Sequence, residues 1–377
     1  MSYFDYCATT PVHPDVKKAI LSTLEMDFGN PSSMHDLGRK AKQLVNISRK
    51  YVAEGIKANP EEIIFTSGAT EATNLAIIGV MSALPTSKNH IITSQIEHHA
   101  TLHTVEYLEK KGFEITSLPV SPQGLIDIQD LKEALRSETR LISIMMVNNE
   151  MGSVQPIQAI GKIAKEAGII FHTDAVQGIG CCEIDVDALK VDLLSLSAHK
   201  IYGPKGIGAL YIRDGILLNP ILHGGSQEFK IRAGTENVPG IVGLGEAMNL
   251  VSEMKSSQKI KLLDLRNYFI KQLRSIVDNV IINGPEISAA PHIISVSFPN
   301  IDGEMLIFNL NRYGFQASLG SACNAESIEP SHVLLAMGLP LEQIDGTIRF
   351  SLGYPTTKTE IDKLINKLPD LLDASSF

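Results

Sequence analysis

The stretch with the most chemical potential is Leu194–Gly206, LSLSAHKIYGPKG. An apolar run from Val191 to Leu196 ends in a small polar pair and then presents His199 and Lys200. Behind them stands Tyr-Gly-Pro-Lys-Gly, a series of turn formers that continues neither strand nor helix. A lysine displayed where the backbone must bend binds phosphate as a point charge, or loses its proton and acts as an amine nucleophile. An ordinary loop lysine is the plain alternative, and Lys200 alone does not decide between them.

Four further polar clusters each follow an apolar run. Thr66–Asn74, TSGATEATN, sets small residues before a helical pattern. The bare N–H groups of Ala69 and Thr70 and the helix dipole suit a phosphate, whereas Ser67 or Thr70 acting as a cap would leave no anion site. In Ile96–His103, IEHHATLH, the pair His99 and His103 lacks the intervening glutamate and third ligand of a metal site. His98, at the expected strand-to-helix turn, is placed to lean over a bound group. Val147–Gly152, VNNEMG, offers Asn149 as a neutral donor and acceptor, or simply as a turn residue. In His172–Gln177, HTDAVQ, Asp174 falls at or inside a strand end, where a carboxylate needs a cation or strong donors. Gln177 lies three residues on, within reach of the same ligand.

The elements that must position these groups alternate. Ile63–Phe65, His90–Thr93, Leu141–Met146, Ile169–His172, Leu193–Leu196 and Ala209–Ile212 read as strands, with helical patterns near 70–83, 99–110, 128–136 and 156–167. Strands separated by such helices imply right-handed crossovers and a mostly parallel sheet covered on both faces. Ligands gather at the carboxyl ends of strands in such sheets, where every cluster above falls. Taken in order, the clusters outline a phosphate turn, a stacking ring, a counter-charge and an amine. That set suits pyridoxal phosphate held by Lys200.

Composition is compatible. The chain has 377 residues, more than one core usually serves, so two domains are expected. A net charge of −9 argues against duplex DNA as a partner, and no run reaches the ~18 apolar residues of a membrane span. The N-terminus, MSYFDYCATT, does not read as a signal peptide. Cys7, Cys181, Cys182 and Cys323 form neither a metal spacing nor a disulfide framework, which points to a cytoplasmic protein with reduced thiols. The vicinal pair Cys181–Cys182 reads as packing at the end of a strand. Gly240, Gly243 and Gly245 lack the leading strand and spacing of a dinucleotide loop. They open a helical pattern from about 240 to 274, after which strands including His292–Phe298 and Thr347–Ser351 suit a smaller α+β domain. There Cys323 sits in ASLGSACNA, among small residues with no apolar periodicity, which suits a reactive thiol on a loop. Arg349, on the strand in TIRFSLG, suits a bidentate carboxylate contact, whether from the protein or from a substrate.

Over nearly its whole length the chain resembles the class V cysteine desulfurases, which are fold-type I pyridoxal-phosphate enzymes. The likeness runs through YFDYCATTPV, FGNPSSMHDLG, TSGATEATNLAI, IEHHA, VNNEMG, HTDAVQ, SAHKIYGPKGIGALY, RAGTENVPGIVGLGEA, GSAC, EPSHVL and IRFSLG. The wording RAGTENVPG is closest to the NifS/IscS branch. The resemblance implies an α/β fold with a large domain, residues 15–255, built on a mostly parallel seven-stranded sheet covered by helices. A smaller α+β domain, residues 1–14 and 256–377, would carry a mobile loop at about 318–332.

It also implies roles. Lys200 is the Schiff-base lysine, Asp174 pairs with the ring nitrogen, and His98 stacks on the ring and moves protons. Gln177 and Asn149 contact the phenolic-oxygen side. Ala69, Thr70, Ser197 and His199 hold the phosphate, and Thr235 reaches it from the second subunit of a homodimer. Arg349, with Asn149, takes the substrate carboxylate. L-cysteine gives up its sulfur to Cys323 as a persulfide and leaves as alanine. The sulfur passes to an acceptor protein for iron–sulfur cluster assembly or tRNA and cofactor thiolation, with Cys323 a transient iron–sulfur ligand at most and no resident metal. A selenocysteine lyase or other β-cleaving lyase is the alternative enzyme. A non-catalytic sulfur carrier would lack the lysine or the aspartate, and both are present. Leu319 replaces a small polar residue and Cys7 a small Ser or Ala. The chain ends at Phe377 without the longer tail by which some relatives dock a scaffold protein. The spacing from Cys323 to Arg349 resembles the long-loop group.

Overall fold

The computed structural model describes residues 1–83, 88–286, 289–320 and 329–376. Its strands, in chain order, begin with β1 (Ser2–Tyr3), β2 (Ile63–Thr66), β3 (His90–Ser94), β4 (Glu114–Leu118) and β5 (Thr139–Ser143). They continue with β6 (Ile170–Asp174), β7 (Leu193–Ser197), β8 (Gly208–Ile212) and β9 (Ile281–Asn283). The last are β10 (Ile293–Ser297), β11 (Phe315–Gln316), β12 (Ser318–Leu319) and β13 (Thr347–Ser351). A seven-stranded sheet runs in the order β2-β8-β7-β6-β5-β3-β4. The β4-β3-β5-β6-β7 run is parallel, and β8 alone lies antiparallel to both its neighbours. The fold is α/β, as the strand–helix alternation predicts.

Helices Ala69–Ser82, His99–Glu109, Ile128–Ala134 and Ile157–Ala167 make the crossovers, close to the patterns read from sequence. Strands β2, β3, β5, β6, β7 and β8 are buried along almost their whole length because helices cover both faces. β4 is the exception. Only Leu118 of its EITSL is fully buried at the edge of the sheet, so it carries no continuous apolar run. The apolar stretch at 141–146 overshoots β5, and the reason is local. Beyond Ser143, Ile144 and Met146 still donate to the carbonyls of His172 and Asp174, at 3.2 and 2.8 Å. The Met145 N–H between them is instead taken by the Glu97 carboxyl.

A second sheet, β12-β13-β10-β9, is antiparallel and carries Arg349 at its centre. The 39-residue helix Val238–Ile276 joins the two regions. Its first turns bury Val238, Ile241, Leu244 and Val251 in the core of the large sheet, and its later turns bury Leu262, Leu265, Phe269 and Leu273 under the small one. The expected boundary after residue 255 falls inside this helix, where the buried face passes from one core to the other. The N-terminal strand β1 pairs with β11, so the first residues belong spatially with the end of the chain. No described helix is long and apolar enough to cross a membrane.

Candidate active site

The polar clusters meet at the carboxyl ends of β2, β3, β5, β6 and β7 around one cavity of about 490 Å³. Ala69, Thr70, His98, Asn149, Asp174, Gln177, Ser197, His199, Lys200 and Arg349 all line it. Thr235 is exposed and does not line it. Cys323 lies outside the described residues.

At the phosphate turn, β2 ends at Thr66 and the helix starts at Ala69, with Gly68 as its N-cap and no side-chain cap bond. The alternative of Ser67 or Thr70 as a cap is therefore not realised. The Ser67 N–H donates to Glu71 Oε2 at 2.7 Å, and Arg232 holds that carboxylate through Nε at 2.8 Å. Ala69 and Thr70, the first helical residues, line the cavity with no side-chain cap on the helix, an arrangement suited to an anion. Gly208 makes the turn possible. A Cβ there would stand 2.8 Å from Gly68 Cα and 2.6 Å from the Leu196 carbonyl.

Lys200 follows β7 by three residues on a single helical turn, and Tyr202 then takes a left-handed conformation with φ 66°. That reversal, secured by Tyr202 N–H donating to Thr10 Oγ1 at 2.8 Å, points the lysine back over the strand ends. Lys200 Nζ donates to the carbonyls of Cys7 and Ala8 at 2.5 and 2.8 Å. The N-terminal segment thus crosses the site, a role that no local pattern in YFDYCATT announces.

Asp174 is the last residue of β6 and is 7% exposed. Burial pushes its carboxyl up to about 6, against the Val176 N–H at 2.9 Å and the charge of Lys200. A cation placed against it restores the charged form. His98 caps the helix that begins at His99, its Nδ1 accepting from the Ala100 N–H at 3.1 Å, which assigns the ring proton to Nε2. Burial, with Lys200 and neighbouring histidines, pulls His98 down to about 4. His199 is pulled down to about 4 by burial, Lys200 and Lys205. Both rings are neutral at pH 7.

Gln177 donates from Nε2 to the Cys7 carbonyl at 3.1 Å, and its Oε1 lies 3.2 Å from His292 Nε2. Arg349 is 2% exposed and already has protein partners. Its guanidinium donates to Asp5 Oδ1 and to the Asn149 carbonyl, both at 3.0 Å, while its buried Nε has no partner among the described residues. Arg349 thus meets a protein carboxylate, Asp5, through one contact rather than bidentately.

Two more buried carboxyls brace the site. Glu97 accepts from Ser94 Oγ at 2.6 Å and from the Met145 N–H at 3.0 Å, and burial raises it to about 8. Glu150 accepts from Ser331 Oγ at 2.5 Å and is raised by burial to about 7. Leu319, in β12, packs against the core of the small sheet.

These shifts fix a pH dependence. Each glutamate holds its proton to higher pH when folded than when unfolded, so the folded chain binds more protons and stability falls as pH rises through 7 and 8. The buried histidines, lowered in the folded state, act oppositely around pH 6.5, where the unfolded imidazole titrates, and a comparison with a variant that keeps them cancels their effect. Relative to Glu97→Gln combined with Glu150→Gln, the cofactor-free wild type should therefore lose about 2 kcal/mol of stability in urea unfolding between pH 6.5 and 8.5. A difference between wild type and that double variant that stays constant, or grows, as pH rises would refute the account.

The family model for class-V aminotransferases matches residues 2–364. The chain belongs to that family. Cysteine desulfurase IscS of Dictyoglomus turgidum is 49% identical over 371 residues, which cover 98% of this chain and 94% of the relative. Cysteine desulfurase IscS of Methanosarcina thermophila is 49% identical over 370 residues, 98% of this chain and 91% of that one. These likenesses place the chain among the cysteine desulfurases. Among solved structures, a NifS-like protein superposes with a TM-score of 0.93 at 37% identity, covering 99% of both chains. SspA in complex with cysteine superposes with a TM-score of 0.83 at 41% identity, covering 93% of this chain and 99% of that one.

Proposed function

We propose that this chain is a pyridoxal-phosphate-dependent cysteine desulfurase that converts L-cysteine to L-alanine and collects the sulfur as a persulfide on Cys323. The observation that carries the reading is the convergence of Lys200, Asp174, His98 and an uncapped helix N-terminus on one cavity. The residues present fit the cofactor. Ala69 and Thr70 N–H groups, Ser197 and His199 would hold its phosphate, and Asp174 its ring nitrogen. His98 would cover the ring, and Asn149 and Gln177 would face its phenolic oxygen. Thr235, exposed in the single chain, would contribute from the second copy of a homodimer.

When bound, pyridoxal phosphate supplies an aldehyde that bonds amines reversibly and a protonated ring that accepts the electron pair left on the substrate Cα. Lys200 Nζ would hold the cofactor and, as a free amine, would remove the substrate α-proton and carry it onward. Asp174 would keep the ring nitrogen protonated. Arg349 and Asn149 fix the substrate carboxylate, so the Cα–H bond is held in one orientation relative to Lys200. The Cys323 thiolate attacks the substrate sulfur. A sulfur–sulfur bond forms, the carbon–sulfur bond breaks, and its electron pair stays with the carbon skeleton that becomes alanine. The persulfide sulfur is then passed to an acceptor protein.

Mass spectrometry of the holoenzyme after addition of L-cysteine tests this reading. One extra sulfur atom is expected on the peptide containing Cys323, with alanine formed alongside. Cys323→Ala should stay yellow and stop releasing sulfide in the presence of a reductant. Undiminished sulfide release by that variant would remove Cys323 from the mechanism.

A further inference from the structure

Cys181 and Cys182 take no part in the chemistry above, yet their setting is unusual. They follow the turn after Gln177, with their sulfur atoms 3.8 Å apart. Cys181 is buried and also donates its thiol proton to the Gln177 carbonyl at 3.3 Å, whereas Cys182 is only partly buried. One S–H carries one proton, so Cys181 serves the carbonyl or the neighbouring sulfur at any instant. Cys182 also lines a second cavity, of about 380 Å³, with Met146, Val154, Ile157 and Leu189. Lys255, whose ammonium lies 3.8 Å from Glu183 Oε1, stands beside the next residue of the chain. Lys259 lies one turn further along the same helix.

We propose that Cys182 is a second reactive thiol of this chain, separate from Cys323, and that it is modified by small anionic disulfides. The Cys182 thiolate attacks one sulfur of the disulfide. A new sulfur–sulfur bond forms on Cys182, the disulfide bond breaks, and the other half departs as a thiolate. Cys182 is oxidised and the disulfide, as the oxidant, is reduced. The Cys181 contact is the first cause that lowers Cys182 below the ordinary thiol range, and Lys259 and Lys255 add to it against burial and the Glu183 carboxylate. The same contact raises Cys181, and burial raises Cys7, so the thiols are ranked by their surroundings. The two ammonium groups favour an anionic reagent, and the cavity gives the added group an apolar wall.

The test uses the full-length, cofactor-loaded Cys323→Ala protein with dithiobis(nitrobenzoate), a dianionic disulfide, and with neutral dithiodipyridine. Peptide mapping should find the first label on Cys182, at a rate about tenfold above that of Cys7. Cys182→Ser should remove the fast phase. The Lys255→Gln, Lys259→Gln pair should slow the dianionic reagent more than the neutral one. Labelling of Cys182 no faster than Cys7 in the folded protein, or first labelling at Cys181, would overturn the proposal. The readout involves no turnover of L-cysteine, so it stands or falls apart from the desulfurase reading.

Discussion

Lys200→Ala is expected to lower kcat/KM for L-cysteine by about 10⁴-fold, the upper end of what a single proton-transferring group contributes. The loss should fall at this end because, under the proposed function, the substitution removes both the amine that holds the cofactor and the base that takes the α-proton. No other described lysine stands in for it. Lys205 also lines the cavity, but it follows the turn of Tyr202 and Gly203, whereas Lys200 Nζ is anchored on the Cys7 and Ala8 carbonyls. The variant should fold, since truncating Lys200 leaves two carbonyls beside a cavity rather than a buried charge. Activity and absorbance after gel filtration check both parts. The yellow colour should be lost with the small molecules, and turnover within tenfold of wild type would sink the assignment of Lys200.

Arg349→Ala is the second large effect. The side chain is 2% exposed and faces Asp5 directly, with Glu150 close enough to shift its titration. Removing one partner of a buried ion pair costs about 3–5 kcal/mol, because the other charge is left without compensation. Both stability and substrate use should therefore fall, with KM for L-cysteine rising by a factor of about 10² or more. Asp5→Asn separates the two losses. In the double variant, urea unfolding should recover much of the lost stability while KM stays high. If the double variant recovered KM as well, Arg349 would be a structural residue rather than the group that takes the substrate carboxylate.

The site was legible in the sequence where local order carried it. Each of Ala69, His98, Asn149, Asp174 and Lys200 lies within a few residues of a strand end, and parallel topology brings those ends together. What stayed hidden depends on contacts between distant parts of the chain. The partners of Lys200 lie 193 and 192 residues away, and Asp5 is 344 residues from Arg349. Nothing in the spacing of YFDYCATT signals that its carbonyls cross the cavity. The edge strand β4 was missed because half of EITSL faces solvent. The end of β5 was misplaced because Glu97, a side chain from another loop, takes an N–H that sheet pairing would otherwise use. Periodicity reports burial, and burial outlasts the ladder there.

The helix Val238–Ile276 also limits how this protein can move. At 1.5 Å per residue its 39 residues form a rod about 58 Å long, seated in both cores and without an internal proline beyond its first turn. Swinging the Arg349 sheet toward Lys200 would require breaking that rod or tearing one end from its core. The distance between Arg349, the proposed carboxylate anchor, and the Lys200 amine is thus set by a strut rather than by a hinge. A fixed span selects ligands by length, so a carboxylate and an amine on one carbon are gauged before any reaction begins.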